Sequence, residues 1–326
     1  MPTPTAPAAD AQHRWRPRVR RAGLAALVAA GVAVAAAVAD AAVLLHRSPT
    51  VTVTTPGSGD GTAYLLLASD SRERLGDGDR RRYADRLQAT GERADLVMVL
   101  RRPEGGEPEL VSLPRDLYVG SRAEGRHRLG LALSRGPQAM VTTLCRDLGI
   151  GVDHVAVLDF RGLIDLVDTV GGVDVATTAP TRDEQAGLHL DRPGPHHLDG
   201  EGALAWVRSR HPRVLVDGRW ASPAGWDPTR TSHAVEVLGQ VSERLDGPLA
   251  AHRVAWSAAP RVRRDTGLGV REAASLALDL RSALRSGRVR TVPARMTTTQ
   301  VPLAFVTPGT EAALRPLRSA SCTSSG

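Results

Sequence analysis

"LVSLPRDLYV" (residues 110–119) sets an apolar run against an abrupt pair of charges. Leu110, Val111 and Leu113 around Ser112 read as a buried strand. Pro114 cannot donate to a strand ladder and ends it. Arg115 and Asp116 follow at once, before Tyr118 and Val119 resume the apolar character. A guanidinium stays charged at any working pH. A core strand that ends in a cation beside an anion raises the question of what the pair serves.

Working outward, the chain alternates short strands with helices. "AYLLLAS" (63–69) and "DLVMVL" (95–100) are apolar runs of strand length, and "PEGGEP" (103–108) is a hairpin turn leading into "ELVSL" (109–113). Residues 76–92 read as a polar, mobile loop. "SRGPQAMVTTLCRDLGI" (134–150) carries Met140, Val141, Leu144 and Leu148 at helical spacing. "DHVAVLDF" (153–160) is a strand. Asp159 then caps a helix with Phe160, Leu163, Ile164, Val167 and Val170 on one face, and Gly171 stops it. "GGVDVAT" (171–177) leads into another strand. Residues 199–209 fit a helix, and 226–245 a second with Asp227 as N-cap and Pro228 at its first position. A last long helix (270–284) and a late strand (287–294) complete the pattern. The expected class is α/β: one α/β/α-type domain with a central mixed β-sheet flanked by helices.

A different segment precedes the domain. Residues 22–45, "AGLAALVAAGVAVAAAVADAAVLL", hold one charge, Asp40. About 20 apolar residues span a bilayer. Five arginines lie within the first 21 residues, which by the positive-inside rule predicts a cytoplasmic N-terminus and a domain outside the cytoplasm. Small residues at 37–42 ("AVADAA") also suit signal-peptidase cleavage. The expected organisation is a disordered basic cytoplasmic tail (1–21), a transmembrane helix (22–45), a linker (46–61), the domain (62–318) and a disordered tail (319–326).

Composition excludes several classes. Net charge is +7, and all 42 basic residues are arginine, so each must be argued by position. Two cysteines, Cys145 and Cys322, exclude a CxxC metal or redox site; a disulfide between them and two free thiols are both open. Aromatic content of 3% offers no stacking platform for single-stranded nucleic acid. The histidines at 196, 197 and 211 lack metal-site spacing and read as loop residues.

Charges recur where elements end. Asp70 and Arg72 follow the first strand, Arg93 and Asp95 open the second, and Arg115 and Asp116 follow the third. Arg208 and Arg210 sit at the end of a helix, and Asp227 and Arg230 at the start of another. Ligands of α/β sheets bind at such ends. Guanidinium groups match phosphate oxygens, and carboxylates in the same site call for a cation such as Mg²⁺ between them and the phosphate.

These residues carry a resemblance. "YLLLASDSR" (64–72), "RADLVMVL" (93–100), "LVSLPRDLYV", "DHVAVLDFRGLIDLVDTVGGVDV" (153–175), "HLDGEGALAWVRSRH" (197–211) and "WDPTR" (226–230) together resemble the LytR-CpsA-Psr family of cell-envelope phosphotransferases. The resemblance implies a single-pass cell-membrane protein of an actinobacterial-type envelope. It implies transfer of a glycopolymer from a polyprenyl-pyrophosphate carrier to a peptidoglycan sugar hydroxyl. It assigns Asp70 and Asp95 to Mg²⁺ (or Mn²⁺), and Arg72, Arg93, Arg115, Arg208, Arg210 and Arg230 to pyrophosphate oxygens. Arg115 and Asp116 are the catalytic pair, Asp116 either orienting Arg115 or accepting the acceptor's proton. The partners are then the lipid-linked glycopolymer and peptidoglycan, with no nucleic acid. Two departures stand out. "RHRLGLAL" (126–133) replaces the family's Lys-Ile-Asn-like segment, and His233–Ala234 replaces its Arg-Gln pair. They keep open a non-catalytic polyprenyl-pyrophosphate-binding protein; a lipid pyrophosphatase, with water as the acceptor, is the other alternative.

Overall fold

The computed structural model describes residues 16–71, 92–120, 125–209, 211–223, 230–245, 247–297 and 303–323, with backbone alone at 16–30, 33, 230, 231 and 248. The chain divides into two units, residues 1–46 and 47–326. In the first, helix α1 (Arg16–Arg47) includes the apolar stretch 22–45 and starts within the expected tail. Among the described residues no helix is long and apolar enough to cross a membrane, so the crossing remains an expectation from sequence. The loop expected at 76–92 lies, but for its last residue, outside the described residues, as do Asp227 and Pro228.

The second unit is built on a seven-stranded mixed sheet. Its order is β1 (Thr50–Val51), β14 (Val262–Asp265), β7 (His154–Asp159), β2 (Thr62–Ser69), β3 (Ala94–Arg102), β4 (Glu109–Leu113), β15 (Val289–Thr291). β3 is antiparallel to both neighbours, while β2 and β7 are parallel. β14 is antiparallel to β7, and β1 runs parallel to β14.

Side chains of a strand alternate between faces, and both faces of this sheet are covered. Leu65, Leu67, Val97, Val99 and Val111 pack with Met140, Val141 and Leu144 of helix α2 (Pro137–Leu148). Tyr64, Met98, Leu100 and Leu110 pack on the other face against helix α7 (Val270–Arg285) and helix α5 (Arg230–Glu243). Leu65 and Leu100 are fully buried; truncating either to Ala would remove about 2–5 kcal/mol of stability. A second core joins helix α3 (Phe160–Thr169), β8 (Val173–Thr177), β11 (Gly194–Leu198), helix α4 (Gly200–Arg208) and α5 around Trp206 and Val237.

The punctuation works as expected. Asp159 accepts from the Gly162 N–H at 2.8 Å, capping α3. Gly171, at φ 81°, takes the left-handed turn beyond the helix end. Asp199 caps α4 by accepting from Gly202 N–H at 2.8 Å.

Two boundaries differ from expectation. Residues 46–61 are not a free linker: β1 extends the sheet, Ser58 is buried, and its N–H donates to Asp153 at 3.2 Å. The backbone hydrogen bonds of an edge strand hold this segment, and periodicity cannot announce a two-residue strand. At the other end, residues 319–323 are not a disordered tail. Ser319 N–H donates to the Gly149 carbonyl at 2.9 Å, and Cys322, on helix α9 (Ala320–Thr323), is disulfide-bonded to Cys145 on α2. Disulfides persist in oxidising compartments.

Candidate functional site

Strand directions gather the candidate residues. Because β3 is antiparallel to β2 and β4, the C-terminal ends of β2 and β4 and the start of β3 share one sheet edge. β7 ends there too, with Asp159 in register with Ser69. Asp70, Arg93, Asp95, Arg115 and Asp116 thus lie within a few residues of three neighbouring strand ends.

Register sets the central contact. Val97 lies opposite Leu113. Two residues nearer that edge on each strand, on the same face, Asp95 and Arg115 come opposite one another. The Arg115 Nη1–H donates to Asp95 Oδ1, and both side chains are largely buried, at 13% and 12% exposure. Arg115 Nε is buried and makes no hydrogen bond, although Asp116 Oδ2 lies 3.5 Å away. Asp116 also faces Arg128, whose Nη1 is 3.4 Å from its Oδ1. One carboxylate therefore stands between two guanidinium groups.

Asp70 is fixed differently. Its Oδ1 accepts from the Arg93 N–H at 2.6 Å, and its own N–H donates to the Arg93 carbonyl at 3.0 Å. Burial, and next the charge of Asp95, raise the Asp70 carboxyl above its usual range, against the opposing pull of the Arg93 N–H, Arg93 and Arg115. Among the described residues there is no group of three or more His, Cys, Asp or Glu side chains arranged to hold a metal. Mg²⁺, however, is commonly held by one or two carboxylates together with water and substrate phosphate. The mutual repulsion of Asp70 and Asp95 is what a cation between them would relieve, so the donor set fits that ion.

A small cleft with about 40 Å³ of space opens beside Arg93, Arg115, Asp116, Arg128 and Gly130. Gly130 begins the 3₁₀ segment Leu129–Arg135 at its second residue and donates to the Arg115 carbonyl at 2.7 Å. A Cβ at Gly130 would fall 2.6 Å from the Ala94 carbonyl oxygen and 3.3 Å from Arg115 Cβ. Only a glycine lets this segment close over the floor of the cleft.

Other candidates are placed less fully. Arg208 lies at the end of α4 with its guanidinium over the Phe160 ring, 4.9 Å from the centroid. Phe160 follows Asp159, so Arg208 reaches the same sheet edge. Arg230 opens α5, and its side chain is not described. Arg72 and Arg210 lie outside the described residues. His233 stacks on Trp206 with ring centroids 4.0 Å apart, and its Nδ1 is 3.2 Å from the Trp206 carbonyl. A carbonyl only accepts, so Nδ1 carries the proton. Burial lowers the His233 pKa, which favours the neutral ring over the phosphate-binding cation.

Sequence reasoning missed two groups. Arg128 lies in the segment noted for its missing Asn, and it brings a cation to Asp116. Arg263 of β14 is buried and donates to Glu92, which also accepts from the Ser69 hydroxyl. Ser69 Oγ in turn accepts from Ser71 N–H at 3.0 Å. This chain ties the residues on both sides of Asp70 to the one just before Arg93. Arg263 and Glu92 are 171 residues apart, and no local pattern links them.

Comparison with known proteins places the chain in a family. The model of the LytR_cpsA_psr family matches residues 31–219. The "Probable cell wall biosynthesis protein LcpB" of Corynebacterium glutamicum is 36% identical over 167 residues, 51% of this chain and 40% of LcpB. The "Polyisoprenyl-teichoic acid--peptidoglycan teichoic acid transferase TagT" of Bacillus subtilis is 30% identical over 161 residues, 48% of this chain and 47% of TagT. The chain thus spans less than half the length of these curated relatives. The solved structure of a "LytR-Csp2A-Psr enzyme from Actinomyces oris" superposes with a TM-score of 0.67 at 28% identity, covering 84% of this chain and 97% of that one. The family match covers more than half of the sequence, and the chain belongs to the LytR_cpsA_psr family.

Proposed function

We propose that this protein is a membrane-anchored, extracytoplasmic phosphotransferase of cell wall assembly. It moves a glycopolymer from a polyprenyl-pyrophosphate carrier to a sugar hydroxyl of peptidoglycan. The observation that carries the reading is Arg115, held by Asp95 at a sheet edge, with a buried Nε that makes no hydrogen bond. A buried charged donor without a partner is costly, and a phosphate oxygen is the acceptor that a guanidinium matches best. Family membership and the transferase TagT among the relatives support the same reaction class.

Phosphoryl transfer asks for positioning and charge neutralisation more than for covalent chemistry. Arg115 and Arg93 bind the pyrophosphate oxygens at the cleft, with Arg208 approaching from α4. Arg72, Arg210 and Arg230 join them in this proposal on the strength of sequence. Asp95 orients Arg115. Asp116 balances Arg115 and Arg128, which suits an orienting role and leaves it beside the cleft as an acceptor for the hydroxyl proton. Asp70 and Asp95 would hold Mg²⁺ (or Mn²⁺), which supplies positive charge beside the pyrophosphate. The Arg cluster before residue 22, the apolar stretch 22–45 and the Cys145–Cys322 disulfide support an anchor with the domain on the oxidising side.

The test uses the full chain in vesicles with a polyprenyl-pyrophosphate-linked saccharide, Mg²⁺ and peptidoglycan fragments. Mass spectrometry follows polyprenyl phosphate and the glycan. Release coupled to a phosphodiester-linked product establishes the transferase. Release into water without capture would make it a lipid pyrophosphatase, and binding without turnover a non-catalytic carrier protein.

A further inference from the structure

Helix α6 (Pro248–Ala258) presents an unusual outer face. Leu249, His252, Arg253 and Trp256 recur at i, i+3, i+4 and i+7, which places them on one side of the helix. Leu249 is 76% exposed, the highest value of any large apolar residue described. The helix contains no Asp or Glu. Its other side packs inward, where the Ser257 hydroxyl donates to the Asp165 carbonyl of α3 at 3.1 Å.

A second observation says what this face meets. The guanidinium of Arg47 lies over the Trp256 ring, 4.6 Å from its centroid. Arg47 comes two residues after the apolar stretch 22–45. If that stretch crosses the bilayer, chain connectivity holds Arg47, and therefore Trp256, at the outer membrane–water boundary. Tryptophan settles at that boundary, and an arginine flanking a span can anchor there. An acid-free helix with apolar and basic residues on one face is suited to lie along it.

The sheet gives the same direction. β14 is antiparallel to β7, so it begins at the edge where β7 ends beside Ser69 and Asp159. β1 is parallel to β14 and follows Arg47 directly. The chain therefore enters the sheet from the edge that bears Asp70, Asp95 and Arg115.

We propose that α6 is an interfacial helix, its Leu249–Arg253–Trp256 face with Arg47 resting on the lipid headgroups of the outer leaflet, holding the site-bearing sheet edge beside the bilayer. A pyrophosphate on a membrane-embedded lipid would then reach the arginines without leaving the interface. The inference rests on the proposed anchor.

The test places a nitroxide on Leu249→Cys in the full chain, reconstituted in phosphatidylcholine–phosphatidylglycerol vesicles. Leu249 is exposed and the native cysteines are paired, so the new thiol is labelled alone without disturbing the core. A label at Glu104→Cys, in the exposed β3–β4 turn on the opposite sheet edge, is the aqueous reference. Collisions with oxygen, which partitions into lipid, are compared with those of a water-soluble nickel chelate. The expected oxygen-to-chelate ratio at Leu249 exceeds the reference several-fold. Equal ratios in a protein that resists carbonate extraction would overturn the interfacial helix and leave the anchor standing. Extraction of the protein by carbonate would overturn the anchor itself, and the inference with it.

Discussion

Arg115 and Asp95 face each other because the antiparallel register of β4 and β3 continues past the last paired residues, Leu113 and Val97. The pair is built by the sheet rather than by a loop, and this sets what substitution should do. Arg115→Ala leaves the largely buried Asp95 without its cation. It should lose stability by about 1–3 kcal/mol and turnover by about 10³-fold. Arg115→Lys keeps a charge opposite Asp95 but loses the planar fork. Its melting temperature should stay close to wild type while turnover remains strongly reduced. Near-wild-type release of polyprenyl phosphate by Arg115→Lys would remove Arg115 from the pyrophosphate site.

Asp70 should show a conflict between stability and function. Its folded-state pKa is raised, so the folded protein holds the proton more tightly than the unfolded chain. The ionised carboxylate then opposes folding at neutral pH. Stability from this group rises as pH falls through the raised value toward the ordinary carboxylate range. Asp70→Asn retains an oxygen for the Arg93 N–H. It should melt higher than wild type at pH 7, with that gain vanishing in acid, while turnover drops by about 10²-fold or more. Denaturation curves at several pH values check the first part, and a melting temperature below wild type at pH 7 would contradict it.

Gly130→Ala tests the closure of the cleft. The new methyl group would meet backbone, not a flexible side chain. The 3₁₀ segment or the start of β3 must move, costing about 1–3 kcal/mol and displacing Arg115. Loss of activity should accompany the loss of stability. Gly187→Ala, where a Cβ meets nothing within 4 Å but φ is 73°, serves as a control that strains backbone away from the cleft. It should lower stability while sparing turnover at temperatures where it stays folded.

His233 should make the protein sensitive to mild acid. Its pKa is lowered by burial, so the unfolded chain takes up the proton first as pH falls. Stability present above the ordinary histidine value is lost as pH drops from that value through the folded one. His154 works in the opposite sense, because the hydrogen bond its ring donates to Asp265 raises its pKa. His233→Phe keeps a ring against Trp206 and should flatten the acid-side loss seen in urea denaturation as pH falls below about 6.5. An unchanged slope would mean that His233 is not buried in solution.

The sequence determined much of this protein. Strand runs, helix faces, the Asp159 cap, the Gly171 stop and the Pro114 break are local, so propensity and spacing reveal them. The charges of the site were legible because Asp70, Arg93, Asp95, Arg115 and Asp116 sit beside strand ends that the apolar pattern marks. Which ends share an edge was not legible, since strand order and direction depend on packing between distant segments. Tertiary structure decided that Asp95, not Asp116, takes the Arg115 hydrogen bond. It also decided that Arg128 and Arg263 belong to the site's surroundings, that Cys145 meets Cys322, and that the segment after residue 46 is a sheet strand. Each of these rests on partners brought together only when the core closes, and no periodicity in one segment encodes a contact with another 171 residues away.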